Sequence, residues 1–538
     1  MKKMKASKKI ILSIGTAALL LGSSCTKKFD AINSDPTQAG ASTFDPNLLF
    51  STAEINYFQT IQGYGGNILL PSMWIQGLAS AAYPGYYSNG DKYVASGNLT
   101  TYDQSLWNNG YTSASKCYEI QSLVKGNAAL SNLSGISLIL ELLNIQVITD
   151  TYGDIPFSQA LQAKSGVNLP VYDKQQDVYT SALNKLDSVL ATLDASKAGP
   201  TNDAFNYKGD VSKWKKFGYS LMLRMAMRLT KADAATAQKY AEKAYAGGAF
   251  ASNADNAYMT FDQTDGYSNG NSSAYQVPED FNEVKWGKVL ISYLKTNLDP
   301  RLSVIAEVPQ PGAKNAANES LAGDNTAANQ LGMPNGYDQN GGATDISHEP
   351  AYPGASGTGS DVNPTGKYSR PSIGLYLALN TPGIAMCYAQ TELLFAEAAL
   401  KGWNTGNALT HYQNAISAGI QTYATLGSSG AISAGVANAY AATQTLSATN
   451  ATALQQVQMQ YWVLECTLFD FYEAWSNWRR TNVPALTPVN YTGNFTQGTI
   501  PRRQVYPTSE SATNPSNYAK AVTSMGGDVY TGKVWWDK

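Results

Sequence analysis

The sequence predicts a mainly α-helical fold of stacked helical hairpins, interrupted by long polar loop insertions. Three observations carry that expectation. Apolar residues recur at helical spacing from Asn47 almost to the C-terminus. Two consecutive helical stretches, starting at Ala385 and Asn407, carry small residues where paired helices would touch. The stretches 309–371 and 426–450 are rich in Gly, Asn, Ala and Ser, with few large aliphatic residues.

The N-terminus sets the compartment. Lys2, Lys3, Lys5, Lys8 and Lys9 precede an apolar run from Ile10 to Leu21, and Gly22, Ser23 and Ser24 then lead to Cys25. A positive start, a short apolar run and small residues make a secretory signal over residues 1–24, too short for a permanent span. A cysteine at the cleavage point is expected to become the lipidated first residue, held by acyl chains that each contribute about 0.8 kcal/mol per buried methylene. Residues 25–46 show no helical period and crowd Gly, Pro, Ser and Asn, so they read as a tether. Residues 47–538 read as a single domain.

Within that domain, NLLFSTAEINYF from Asn47 and SLWNNGYTSASKCYEIQSLV from Ser105 are amphipathic helices. Ile136–Ile148 is apolar nearly all round and should be a buried helix, ending where Gly153 and Pro156 break it. It is not a membrane span, because Glu141, Asn144 and Gln146 interrupt it. The next helix starts near Tyr172 with Asp173 as its expected N-cap, and buries Val178, Leu183, Leu186, Val189 and Leu190. Helices from Gly209, Ala237 and Phe281 follow, the last closing at Asp299-Pro300. The stretches from Ala385 and Asn407 form a hairpin whose Ala396, Ala399, Gly402, Ala408, Tyr412 and Ala415 resemble a tetratricopeptide repeat. A final helix is expected from Ala451 to Trp478.

Composition excludes several functions. Net charge is −2, and no basic stripe is present to bind nucleic acid. Cys117, Cys387 and Cys466 lie in apolar helical stretches and read as buried free thiols, not as a disulfide framework. His348 and His411 are the only histidines, so a zinc site or a Ser–His triad has almost no material, and no cofactor is implied. A calcium site at Asp265 or Asp361 lacks the spacing of a known loop. Asp150 and Asp154 are the one suggestively placed carboxylate pair, which a glycosidase would need on either side of a sugar. Asp beside Gly and Pro is ordinary turn chemistry, and that reading is preferred. Arg224 and Arg228, four apart on an apolar helix, are expected to pair with buried carboxylates; Arg479, Arg480, Arg502 and Arg503 could clamp an acidic substrate, but structural ion pairs near chain turns are the preferred reading.

An ordered series of motifs then points further. DTYGDIPFSQAL (Asp150–Leu161) is followed by GDVSKWKKFGYSLMLRMAMR (Gly209–Arg228), LDPRL (Leu298–Leu302) and LLFAEAALKGW (Leu393–Trp403). FYEAWSNWRRTNVPAL (Phe471–Leu486), IPRRQVYP (Ile500–Pro507) and a terminal VWWDK complete it. In this order they resemble the SusD/RagB family of outer-membrane lipoproteins, in its SusD-like branch, across essentially the whole mature chain. The resemblance implies a non-enzymatic, surface-exposed lipoprotein that captures oligosaccharide or peptide. It also implies a partner, a SusC-like TonB-dependent transporter, over which the lipoprotein closes. A glycoside hydrolase using Asp150 and Asp154 is the alternative, and a purely structural envelope protein the third reading.

For ligand contact, the loop AAYPGYYSNGDKY offers Tyr83, Tyr86, Tyr87 and Tyr93 among Gly, Pro and Asn. Such rings stack on sugar faces, and they are expected to stand exposed. Trp74 and Trp107, on the flanking helices, are expected to be core.

Overall fold

The computed structural model describes residues 44–85, 87–309, 321–354 and 363–538; Cys25, Tyr86 and Asp361 lie outside them. Helix follows helix because each presents one apolar stripe that only a neighbouring helix can cover. Helices α1 (Asn47–Ile61), α2 (Leu99–Leu123) and α3 (Ser131–Tyr152) pack in succession, followed by α4 (Gln175–Thr192), α5 (Val211–Arg228) and α6 (Ala234–Gly247). The short α7 (Lys288–Thr296) precedes the polar stretch. Then α8 (Tyr388–Leu400) and α9 (Ala408–Leu426) form the expected hairpin, with Ala396, Tyr412 and Ala415 buried between them. Helices α10 (Ala434–Thr443), α11 (Asn450–Thr467), α12 (Phe471–Thr481) and α13 (Pro515–Ser524) complete the chain, α11 packing on α8 and α12 on α3.

Helix α3 is the centre of the core. The stretch Ala128–Tyr152 is long and apolar enough to cross a membrane, yet Leu140, Leu143 and Asn144 are fully buried inside the protein. Asn144 is accommodated because its amide donates to Ser113 Oγ at 2.9 Å and to the Leu140 carbonyl at 2.9 Å. Cys117, Cys387 and Cys466 are buried free thiols, and Trp74 and Trp107 are core residues.

The structure departs from the sequence reading in four places. Asp173 does not cap α4. It pairs in a short ladder with Ile155, and its carboxylate accepts from the Phe157 and Ser158 amides at 2.9 and 2.8 Å. The cap comes from Asp154, whose Oδ1 accepts from the Gln175 amide at 2.9 Å. The helix expected from Phe281 is split by a strand, β2 (Val284–Trp286), which pairs antiparallel with β1 (Leu78–Ser80). A β-branched and an aromatic residue flanking Lys285, followed by Gly287, favour extended backbone there. The expected last helix breaks at Phe469, which takes a left-handed φ of 62°, and Asp470 caps a new helix by accepting from the Glu473 amide at 3.1 Å. Finally, part of the stretch 426–450 is not loop. Alanine-rich Ala434–Thr443 forms α10, capped by Ser433. The stretch 309–371 is, in its described residues, short turns and a two-residue ladder between Ala306–Glu307 and Arg370–Pro371.

The arginines converge. Arg228 on α5 donates to Asp150 on α3 at 3.1 Å and, through both carboxylate oxygens at 2.8 and 2.6 Å, to Glu473 on α12. Glu473 also accepts from Tyr461 at 2.7 Å and faces Arg224 at 3.8 Å. Asp150 accepts further from Tyr179 and from the Trp536 indole, while Arg502 grips Asp537 at 2.7 Å. Arg479 lies between the Trp475 and Trp536 rings, its guanidinium carbon 3.7 and 4.8 Å from their centroids. Arg480 clamps Glu397 with two bonds of 2.6 and 2.7 Å. Motifs hundreds of residues apart therefore meet in one buried charged network that ties the C-terminus to the central helices.

Candidate ligand-binding cleft

Three segments build a cleft of about 710 Å³ beside β1, within the size range of small-molecule sites. The first runs from Gln76, which lines the cleft, through β1 into the aromatic loop, whose residues brace the cleft without lining it. The β1–β2 ladder holds its start, and the Gly287 amide donates to the Gly77 carbonyl at 2.8 Å. Glycine is required at 287, since a Cβ there would lie 1.9 Å from the Gln76 carbonyl oxygen. The second segment, 333–349, supplies Pro334–Tyr337, Ala343 and Thr344 to the lining, and the third, after α12, supplies Thr487–Asn490, with Tyr491 buried behind them.

Asp91 locks the first segment to the second. Its buried carboxylate accepts from Asn335 Nδ2 at 2.6 Å, from the Gly336 amide at 2.8 Å and from Lys92 at 3.1 Å. Lys92 also donates to the Ser80 carbonyl at 2.8 Å. Gly336, at φ 88°, joins the second segment to the third, because a Cβ there would sit 2.8 Å from Val489 Cγ1. Asp338 makes the other junction. It accepts from Tyr491, from Thr344 Oγ1 at 2.6 Å and from the Asn340 amide at 2.9 Å. Burial pushes the Asp338 carboxyl up, but these donors outweigh it and hold the group below the usual range.

The surface so fixed suits a polyhydroxylated ligand. Gln76, Lys288, Asn335, Tyr337, Thr344 and Asn490 line the cleft, and the Asn490 amide is exposed. At its margin the half-buried Tyr83 ring rests against Tyr491, with centroids 5.2 Å apart and planes at 50°. Lys92 Nζ lies 6.0 Å from the Tyr491 centroid. The Tyr337 ring, the Asn490 amide and the Lys288 ammonium are thus set on a wall braced from behind by Lys92, Tyr83 and Tyr491.

Of the tyrosines expected to be exposed, two are not. Tyr87 is 1% exposed and donates to Asp280 at 2.9 Å, and Tyr93 is fully buried. The loop is no free protrusion: Asp91 pins it from one side, and the Phe495 amide bonds the Tyr93 carbonyl at 2.7 Å from the other. Tyr83 alone of the described set reaches the cleft margin. Tyr491 and Tyr337 were missed. The signal for Tyr491 was an aromatic residue among Pro, Asn and Thr just past the NVPAL motif.

Asp150 and Asp154 form no catalytic pair. Asp150 is 3% exposed and spends its oxygens on Arg228, Tyr179 and Trp536. Asp154 serves the Gln175 amide and Ser524. Burial raises both carboxyls, against Arg228 at Asp150 and against the Gln175 amide at Asp154. Asp150→Asn should therefore cost about 1–3 kcal/mol of stability through the weakened charged hydrogen bonds, and leave ligand affinity unchanged. Thermal melts with parallel ligand titration test this; wild-type melting with lost binding would contradict it. His411 is likewise structural, held between Glu392 at 3.0 Å and the Thr405 carbonyl at 2.7 Å. Among the described residues no cluster of His, Cys, Asp and Glu is arranged to hold a metal.

Comparison with known proteins decides the family. A family model described as starch-binding, associating with the outer membrane, matches residues 41–507. The chain belongs to the SusD-like family. Solved structures agree with that assignment in fold. A chitin-binding protein superimposes with a TM-score of 0.75 at 29% identity, covering 92% of this chain and 100% of its own. A chitin-binding SusD homolog from Flavobacterium johnsoniae gives 0.72 at 23% identity, covering 92% and 98%. A SusD-like protein from Bacteroides thetaiotaomicron gives 0.69 at 23% identity, covering 92% and 99%. Among curated proteins, none matches the chain. The fold of this SusD-like protein is the helical one that its motifs imply.

Proposed function

We propose that this SusD-like protein captures an oligosaccharide in the cleft between the aromatic loop, the 333–349 segment and Thr487–Tyr491, and passes it to a SusC-like TonB-dependent transporter. The observation that carries this reading is the braced wall on which the Tyr337 ring, the Thr344 hydroxyl and the exposed Asn490 amide stand, with Tyr83 and Tyr491 packed behind it. Aromatic faces stack on the apolar faces of sugars, and amides bond the hydroxyls. The likeness to a chitin-binding protein at 29% identity makes oligomers of N-acetylglucosamine the first ligands to test. Neither carboxylate of the alternative hydrolase lines this cleft.

The delivery step makes a physical demand on the contact with the transporter. A lasting complex of this kind buries on the order of 2,000–5,000 Å². One edge must still open at low cost, with bound glycan shifting the population toward closure only by its preference for that state. Extraction of tagged protein from native membranes in mild detergent, followed by mass spectrometry, is expected to recover a large β-barrel transporter. A lone monomer in several detergents, with the transporter expressed, would contradict delivery.

The anchor is tested separately. In a strain lacking the transporter, Cys25→Ala is expected to move the protein from the membrane fraction to the soluble one, because two acyl chains are what stable attachment requires. Continued sedimentation of the variant with outer membranes in high salt would contradict lipid anchoring.

A further inference from the structure

A second groove, apart from the aromatic cleft, lies between the start of α4 and α13, and its walls include Asp154 and Trp535 from two of the family motifs. Two adjoining hollows of about 560 and 290 Å³ share Asp154, Lys174 and Ser524 in their walls. Tyr172 and Lys520 line the first, and Lys533 and Trp535 line the second. Their combined size falls within the range of ligand sites.

Two features set this groove apart from ordinary surface. The first is its aromatic lining. In the terminal VWWDK segment, Val534, Trp536 and Asp537 are buried, and Trp536 bonds Asp150. Trp535 is half-buried: it packs against the core, has Lys538 Nζ 5.9 Å from its ring centroid, and lines the groove with the rest of its surface. Tyr172 is half-buried as well, its ring 6.1 Å from Trp107 and its hydroxyl fixed by Glu510. The second feature is charge. Lys174, Lys520 and Lys533 are exposed, and none of them makes an ion pair with a carboxylate among the described residues. The one acidic side chain lining the groove, Asp154, has its two oxygens engaged by the Gln175 amide and Ser524. In a chain with only 14% charged residues, three exposed lysines around one groove, one of which (Lys174) acts on Asp154, are a local concentration of positive charge.

We infer that this groove binds an acidic saccharide, with Trp535 and Tyr172 offering ring faces to the sugar and Lys174, Lys520 and Lys533 meeting its anionic substituents. The site is separate from the aromatic cleft, so it could hold a second stretch of a charged polysaccharide. Carboxylate and sulfate substituents share the required chemistry, and the probes distinguish them.

The test uses the full mature chain and calorimetric titration with a galacturonic-acid hexamer, its fully methyl-esterified counterpart and a sulfated galactan oligomer. At low salt, at least one anionic probe is expected to bind about tenfold more tightly than the neutral ester, and to weaken as salt screens the lysines. Lys174→Gln with Lys533→Gln is expected to weaken that probe about five- to tenfold, and Trp535→Ala by a similar factor. These side chains are exposed or half-buried, so the variants should fold, which an unchanged melting temperature would verify. Binding of the carboxylate probe alone or of the sulfate probe alone supports the site and names its anion. Failure of both to exceed the ester, or equal affinity in wild type and folded variants, would overturn the inference. Titration of N-acetylglucosamine oligomers against the same variants should be unchanged, so failure here stays distinct from failure of the aromatic cleft.

Discussion

Glu473→Ala is expected to destabilise the protein by about 3–5 kcal/mol, the cost of leaving a buried charge without its partner. Arg228 would lose both of its bonds to Glu473 and keep only Asp150, and the Tyr461 hydroxyl would lose its acceptor. Burial pushes the Glu473 carboxyl up, but Arg228 and Arg224 outweigh it and hold the group below its usual range, so it is ionised at neutral pH. At roughly 2 °C per kcal/mol for a large domain, the melting temperature should fall by about 6–10 °C. The double variant Glu473→Leu with Arg228→Met should recover much of the loss, since replacing a buried pair by apolar side chains is often neutral. Thermal melts of the single and double variants check this. A single variant within about 1 kcal/mol of wild type would show that the network is not what joins α3, α5 and α12.

That network also shows why the fold was legible in the sequence. Two arginines four apart on an apolar helix need buried acceptors: Arg228 finds Asp150 and Glu473, and Arg224 donates to Gln146 and faces Glu473, although nothing local connects residues 150, 228 and 473. The helices were legible because their apolar period is local. What escaped was decided by distant contacts. Val284–Trp286 is extended because Leu78–Ser80 lies alongside it, and the Phe469 break depends on a backbone conformation that propensity does not encode. The candidate site was less legible still. Tyr83 was found from the aromatic loop, but Tyr87 and Tyr93 look the same in sequence and are buried by segments far along the chain. Asn490 reaches the cleft, with Tyr491 packed behind it, only because Asp338 and Gly336 bring the third segment against the second.

The second large effect is on ligand capture. Replacing Tyr83 and Tyr491 together by Ala is expected to weaken glycan binding by about 10- to 100-fold, because the two packed rings that brace the cleft wall from behind are lost. Tyr491→Phe separates ring from hydroxyl: it keeps the ring packed against Tyr83 and loses the bond to Asp338, so it should retain more affinity than Tyr491→Ala. Tyr83 is half-buried at the cleft margin, and its removal should leave the central network intact.

The most direct measurement incubates pure protein with a panel of labelled oligosaccharides, led by N-acetylglucosamine oligomers, and follows binding and product release together. Capture in the cleft predicts saturable binding of at least one glycan, recovery of that glycan uncleaved, and loss of binding in the Tyr83→Ala, Tyr491→Ala double variant. Shortened products that disappear in Asp150→Asn, or binding undiminished in the double variant, would contradict it.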